Sequence, residues 1–235
     1  MSRRALFACN APAAASPLVP GFERFHADDG TPSLEAGRLL LSELNCTQCH
    51  AAEESGALLP AKRGPNLDGA GARLQPDWMR AFLTDPQKTK PGTTMPDVLA
   101  GLPDDQRAAQ VEALVHYLAS QKKGKLQRLF KYSAPLTGGK LFGRVGCAAC
   151  HADPVTTEPA EANRSAGLVS LEGLPEKYSY AGLTTFLADP LALRPGGRMP
   201  DLHLESQEAA DLAAYLLDTL DEAENKGRAP LKPIK

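Results

Sequence analysis

Cys46-Thr47-Gln48-Cys49-His50 and Cys147-Ala148-Ala149-Cys150-His151 are two copies of one pattern: two thiols separated by two residues, with a histidine directly after the second. The spacing reads as a covalent attachment site for a c-type haem. One helical turn can present two such sulfurs to a porphyrin edge, where they add across its two vinyl groups. The histidine falls on the same side and offers its imidazole to the iron as proximal ligand. Two other chemistries use paired cysteines, a zinc knuckle and a thioredoxin-like redox pair. Zinc suits the pattern if the two motifs converge in one domain. Here each motif has its own adjacent histidine and its own similar surroundings, which favours haem at both. Two covalently bound haem c groups are expected, on Cys46 and Cys49 with His50, and on Cys147 and Cys150 with His151.

Working outward, the surroundings repeat. The first cysteines lie 101 positions apart, and Gly37 and Gly138 each stand nine positions before them. Leu40-Leu41 matches Leu141-Phe142, and Leu67-Asp68-Gly69 matches Leu171-Glu172-Gly173. Phe82-Leu83-Thr84-Asp85-Pro86 matches Phe186-Leu187-Ala188-Asp189-Pro190. Nine residues after each proline comes Met95-Pro96-Asp97 or Met199-Pro200-Asp201. Each copy ends on an apolar helix with a tyrosine, Tyr117 or Tyr215. Matched features in one order imply a tandem duplication of a unit of roughly 90 residues, a small-domain size.

Each unit resembles a class I c-type cytochrome domain, and the pair is similar to diheme cytochromes of the c4 type. The resemblance implies an all-α fold of two tandem domains, each a few helices wrapped around a covalent haem. It implies that the first and last helices cross, with Gly37 or Gly138 allowing close approach. It also implies that Met95 and Met199 supply the sixth iron ligands, with the following proline stiffening each ligand loop. Gly64-Pro65-Asn66-Leu67 resembles the family loop whose proline carbonyl accepts the Nδ1–H of the proximal histidine, fixing that ring. The second copy has Val169 opposite Pro65 and no proline, and carries a three-residue insertion in this loop. His203, four after Met199, competes for the ligand role but reads as a solvated loop residue. Met79, beside Trp78 and Phe82 on a middle helix, reads as core.

The expected organisation is an export-signal remnant and irregular lead-in over 1–33, domain 1 over 34–120, a basic linker over 121–135, domain 2 over 136–222 and a tail over 223–235. Thr31-Pro32 offers an N-cap followed by proline, so the first helix is expected to start there, with Leu34, Leu40, Leu41 and Leu44 packing inward. His26, in the lead-in, reads as a surface residue. Of five cysteines only Cys9 lies outside the motifs, so no intramolecular disulfide is expected. Arg3-Arg4 before Ala5-Leu6-Phe7-Ala8 looks like the end of an export signal, with Ala13-Ala14-Ala15 as a cleavage site. Leu6-Phe7-Ala8-Cys9 also resembles a lipobox, which would make Cys9 a lipid anchor. No run reaches the roughly 18 apolar residues of a membrane span. The family attaches haem outside the cytoplasm, so a periplasmic or otherwise exported protein is expected.

Charge is unevenly divided. Domain 1 has 8 basic and 11 acidic residues, domain 2 has 6 and 13, and the linker carries five cations with no acid. Acidic folded domains argue against nucleic-acid binding and for redox protein partners with basic faces. The linker cations read either as solvated, or as a strap or docking patch.

An iron with both axial sites filled by protein has no open position for substrate but changes oxidation state with little rearrangement. The function read from the sequence is therefore one-electron carriage without enzymatic activity. The rivals are a diheme peroxidase, which needs an openable site, and a thiosulfate-oxidising enzyme, which uses a cysteine ligand. A third is an electron-transfer subunit of a larger dehydrogenase or oxidase.

Overall fold

The computed structural model describes residues 19, 22–25, 33–50, 62–122, 133–152, 154 and 168–220. Cys9 and the export signal, His26, most of the basic linker and the tail lie outside them. The described residues are helical, with no β-strand among them and two isolated bridges. The helices are α1 (Phe22–Phe25), α2 (Leu34–Glu43), α3 (Ala70–Arg73), α4 (Pro76–Thr84), α5 (Pro86–Thr89), α6 (Asp104–Ser120), α7 (Pro135–Arg144), α8 (Leu174–Lys177), α9 (Tyr180–Ala188), α10 (Pro190–Leu193) and α11 (Ser206–Leu220). Short 3-10 turns, Cys46–Gln48 and Cys147–Ala149, carry the cysteines. By proximity the chain forms two compact units. Unit 1 draws on Met1–Gly64 and Arg80–Val111, unit 2 on Pro65–Met79 and Glu112–Lys235.

In unit 1, α2 is described from Leu34, and Thr31-Pro32, the expected start, lies outside the described residues. Ser33 is the N-cap: its hydroxyl accepts from the Ala36 N–H at 3.2 Å, satisfying an amide that the first turn leaves unpaired. The inward packing expected of α2 is met only in part. Leu40 and Leu44 are half-buried, but Leu34 is 81% and Leu41 44% exposed. Among the described residues, α2 packs against the four-residue α1 and the cysteine turn, and its Glu43 pairs with Lys62 at 2.6 Å. α5 starts on an Asp-Pro pair. Asp85 Oδ1 accepts from the Lys88 N–H at 2.9 Å, and Pro86 sits buried at the first helical position, where its missing N–H costs nothing.

In unit 2 the core is continuous. Phe142 of α7, Tyr178, Leu183 and Leu187 of α9, and Ala209, Leu212, Ala213 and Leu216 of α11 form one buried cluster. The α11 members recur at helical spacing, so one face enters the core. Fully burying a leucine such as Leu183 or Leu212 stabilises by about 1.5–3 kcal/mol. α7 crosses α11 at Gly138 and Gly139, with Tyr215 against the glycines and 6.1 Å from the Phe142 ring. The buried Asp211 carboxylate accepts from the Ala134 N–H at 2.8 Å, placing negative charge at the N-terminus of α7. The Asp-Pro start recurs at α10, where Asp189 Oδ1 accepts from Ala192 N–H at 2.9 Å.

Also within unit 2, Leu74 and Tyr178 form an antiparallel bridge. The Gln75 N–H donates to the Lys177 carbonyl and the Ser179 N–H to the Arg73 carbonyl, both at 2.9 Å. Leu67 and Leu171 fix an offset of 104, under which Leu74 matches Tyr178, Gln75 matches Ser179 and Arg73 matches Lys177, so the two hydrogen bonds are images of each other about the Leu74–Tyr178 pair. The duplicated segments thus meet self-complementarily, as in a two-fold interface. Lys177 Nζ stands 4.8 Å over both the Trp78 and the Tyr178 rings, and Tyr178 stacks on Phe186 with centroids 5.8 Å apart.

Candidate haem-binding sites

The two cysteine turns are built alike. A residue in the left-handed region, Asn45 (φ 62°) or Gly146 (φ 89°), ends the preceding helix and turns the chain. Glycine adopts that region freely and asparagine is among the few other residues that visit it. The His50 N–H then donates to the Cys46 carbonyl at 2.9 Å, and the His151 N–H to the Cys147 carbonyl at 3.0 Å. These bonds close each motif into one turn, so both sulfurs and the imidazole leave one short arc of backbone. None of the four motif cysteines is in a disulfide. Cys49, Cys150 and His50 are exposed; Cys46, Cys147 and His151 are half-buried.

In unit 2 the His151 ring is oriented by backbone. Its Nδ1 lies 3.2 Å from the Val169 carbonyl, beside a parallel bridge between the two residues. A carbonyl only accepts, so Nδ1 is the donor and Nε2 keeps its lone pair for a metal. The missing proline therefore does not cost this loop its acceptor. Burial lowers the His151 imidazole below its ordinary value, with the Val169 carbonyl opposing, which favours the neutral ring a metal requires. Burial likewise pushes the Cys147 thiol up. Cys147 and Met199 both border the apolar cluster of this unit. His203 has a side chain 88% exposed and a φ of 50°, with its Nδ1 3.2 Å from Asp201.

Cys46, Cys49, His50 and Met95 all belong to unit 1, and Met95 is half-buried. Its loop is held by side chains from flanking helices. Gln87 Nε2 donates to the Thr93 carbonyl at 2.9 Å and to the Met95 carbonyl at 3.4 Å. The Met95 N–H donates to Thr93 Oγ1 at 3.3 Å. Arg107 on α6 pairs with Asp97 at 2.5 Å and donates to the Thr84 carbonyl. Met79 is buried, in agreement with its reading as core.

Sequence reasoning missed Gln87, Arg107 and Arg73. The buried Arg73 guanidinium donates to the Asp68 carbonyl and, at 2.7 Å, to the Asn66 carbonyl, tying down the loop that carries Pro65. The signal for Gln87 and Arg107 was their mismatch between otherwise similar repeats.

The residues suit a haem. Each turn offers two thiols and an imidazole from one arc, and in unit 2 the imidazole is oriented through Nδ1 with a thioether beside the same apolar cluster. Among the described residues, no three His, Cys, Asp or Glu side chains gather so as to hold a metal ion by themselves, as a zinc knuckle would require. Searches of curated proteins and of solved structures return no match to the chain. The Cytochrome c family matches it twice, over residues 34–122 and 136–220, with one cysteine motif in each match. The chain belongs to the cytochrome c family, as two such domains in tandem, each with a cysteine pair for one covalent haem.

Proposed function

We propose that the protein is a diheme electron carrier acting outside the cytoplasm, with His50 and Met95 as axial ligands in the first domain and His151 and Met199 in the second. Cytochrome c domains are typically electron carriers, which is the coarse statement the family match supports. When bound, a haem held by imidazole and thioether supplies a one-electron Fe(III)/Fe(II) couple with a raised potential. The chain's own residues hold and orient it. The cysteines would hold its edge, the Val169 carbonyl orients the second imidazole, and the apolar cluster that Cys147 and Met199 border would supply a dry surrounding in the second domain. The acidic balance of both domains suits steering by a protein partner with a basic face.

The observation that carries this reading is the contrast between Met199 and His203. Met199 is half-buried against the cluster that Cys147 borders, whereas His203 is turned to solvent and engaged by Asp201. An optical redox titration tests it. The oxidised protein should show the weak near-infrared Fe(III)–thioether band, and Met95→Ala and Met199→Ala should each remove about half of it and lower one potential. A Met199→Ala protein with unchanged band and potential would overturn the assignment and make His203 the next ligand to test.

A further inference from the structure

The two methionine loops are not held alike. In unit 1, Gln87 bonds two carbonyls of the loop, including that of Met95 itself, and its Oε1 is buried with no partner among the described residues. The amide is thus committed to the loop. Arg107 spans from the α4 carbonyl of Thr84 to the carboxylate of Asp97, two residues past Met95. That ion pair is sheltered, with side chains 21% and 29% exposed, so solvent screens it less than a surface pair.

The second repeat lacks both residue types at the matching positions. Counting from Asp-Pro, Gln87 corresponds to Leu191, which is 42% exposed and offers no amide. Counting back ten positions from each tyrosine, Arg107 corresponds to Glu205, an acid. Asp201, which matches Asp97, bonds instead within its own loop to the backbone and ring of His203. His203 itself holds a positive φ of 50°, unfavourable for a residue with a Cβ.

We infer that Gln87 and Arg107 are positioning residues that lock the Met95 loop, so that an added ligand displaces Met199 from its iron before it displaces Met95. The inference rests on the methionine ligation proposed above. It makes the second domain the one whose iron exchanges its sixth ligand under mild conditions, and the first the one that stays closed.

Imidazole titration of the oxidised full-length holoprotein, read by the near-infrared thioether band, tests this. The band should vanish in two steps. The half remaining in Met95→Ala protein should titrate at the lower imidazole concentration, and the half remaining in Met199→Ala protein at the higher. Gln87→Leu, which installs the second repeat's own residue, should lower the later midpoint by about tenfold, the equivalent of one hydrogen bond's net contribution, and leave the earlier step in place. Arg107→Gln should act in the same direction, and the unmoved earlier step certifies that the molecule is folded. Equal or reversed midpoints in the two single-methionine proteins would overturn the inference. So would a later step that ignores both Gln87→Leu and Arg107→Gln. A band that survives both methionine substitutions together would instead refute the ligation reading itself.

Discussion

Gly138 presses directly on the backbone of Asp211: a Cβ at this glycine would lie 2.6 Å from the Asp211 carbonyl carbon and 2.7 Å from Tyr215 Cβ. The α7–α11 crossing in unit 2 exists at its observed closeness only because residue 138 has no side chain. Gly37, the matching glycine of the first repeat, has nothing within 4 Å of the same hypothetical atom. The family resemblance implies a close crossing at both glycines, and among the described residues the structure shows one at Gly138.

Alanine substitution should therefore separate the two positions. Gly138→Ala forces the helices apart and should cost about 2–3 kcal/mol, at the upper end of overpacking penalties. Gly37→Ala, on an exposed helical position, should be neutral or stabilise by up to about 1 kcal/mol through the lower entropy of the unfolded chain. Denaturant unfolding of the two variants checks this, and a Gly37→Ala protein as destabilised as Gly138→Ala would contradict the difference between the helices.

Covalent haem content should follow the cysteine pairs. Mass spectrometry of denatured wild-type protein should show two haem adducts on one chain. Replacing Cys46 and Cys49 together with serine, or Cys147 and Cys150, should leave one adduct each time, because serine forms no thioether. Acid–acetone extraction that strips haem from the unmodified protein would refute covalent attachment.

Tyr178 should make the fold sensitive to alkali. Burial raises its phenol above the ordinary value of 10.0, against smaller lowering effects of Arg194 and Arg73. The folded state then keeps a proton that the unfolded state releases, so this group's stabilisation is fully present below pH 10.0 and is lost as pH rises through the folded value. Unfolding free energy should fall more steeply above about pH 10 in wild type than in Tyr178→Phe. Parallel slopes in the two proteins would show that the phenol titrates alike in both states.

The sequence by itself determined what is local. A cysteine motif closes through bonds within five residues, and the Asp-Pro helix starts and the left-handed residue before each turn are likewise short-range, so similar strings gave similar local structures in both repeats. Repetition then extended the haem reading to the whole chain. Tertiary structure decided what depends on partners far along the chain. Nothing local tells Gly37 from Gly138, or Leu34 and Leu41 from leucines that are covered, because burial is a property of the surface brought opposite. Nothing local assigns the His151 ring to a valine carbonyl 18 positions on, or pairs Gln75 with Lys177 across the duplicated segments. The brace on the Met95 loop is of the same kind. Gln87 and Arg107 read as ordinary polar residues of two helices until packing aims both at the loop, and only then does their absence from the second repeat acquire a physical consequence.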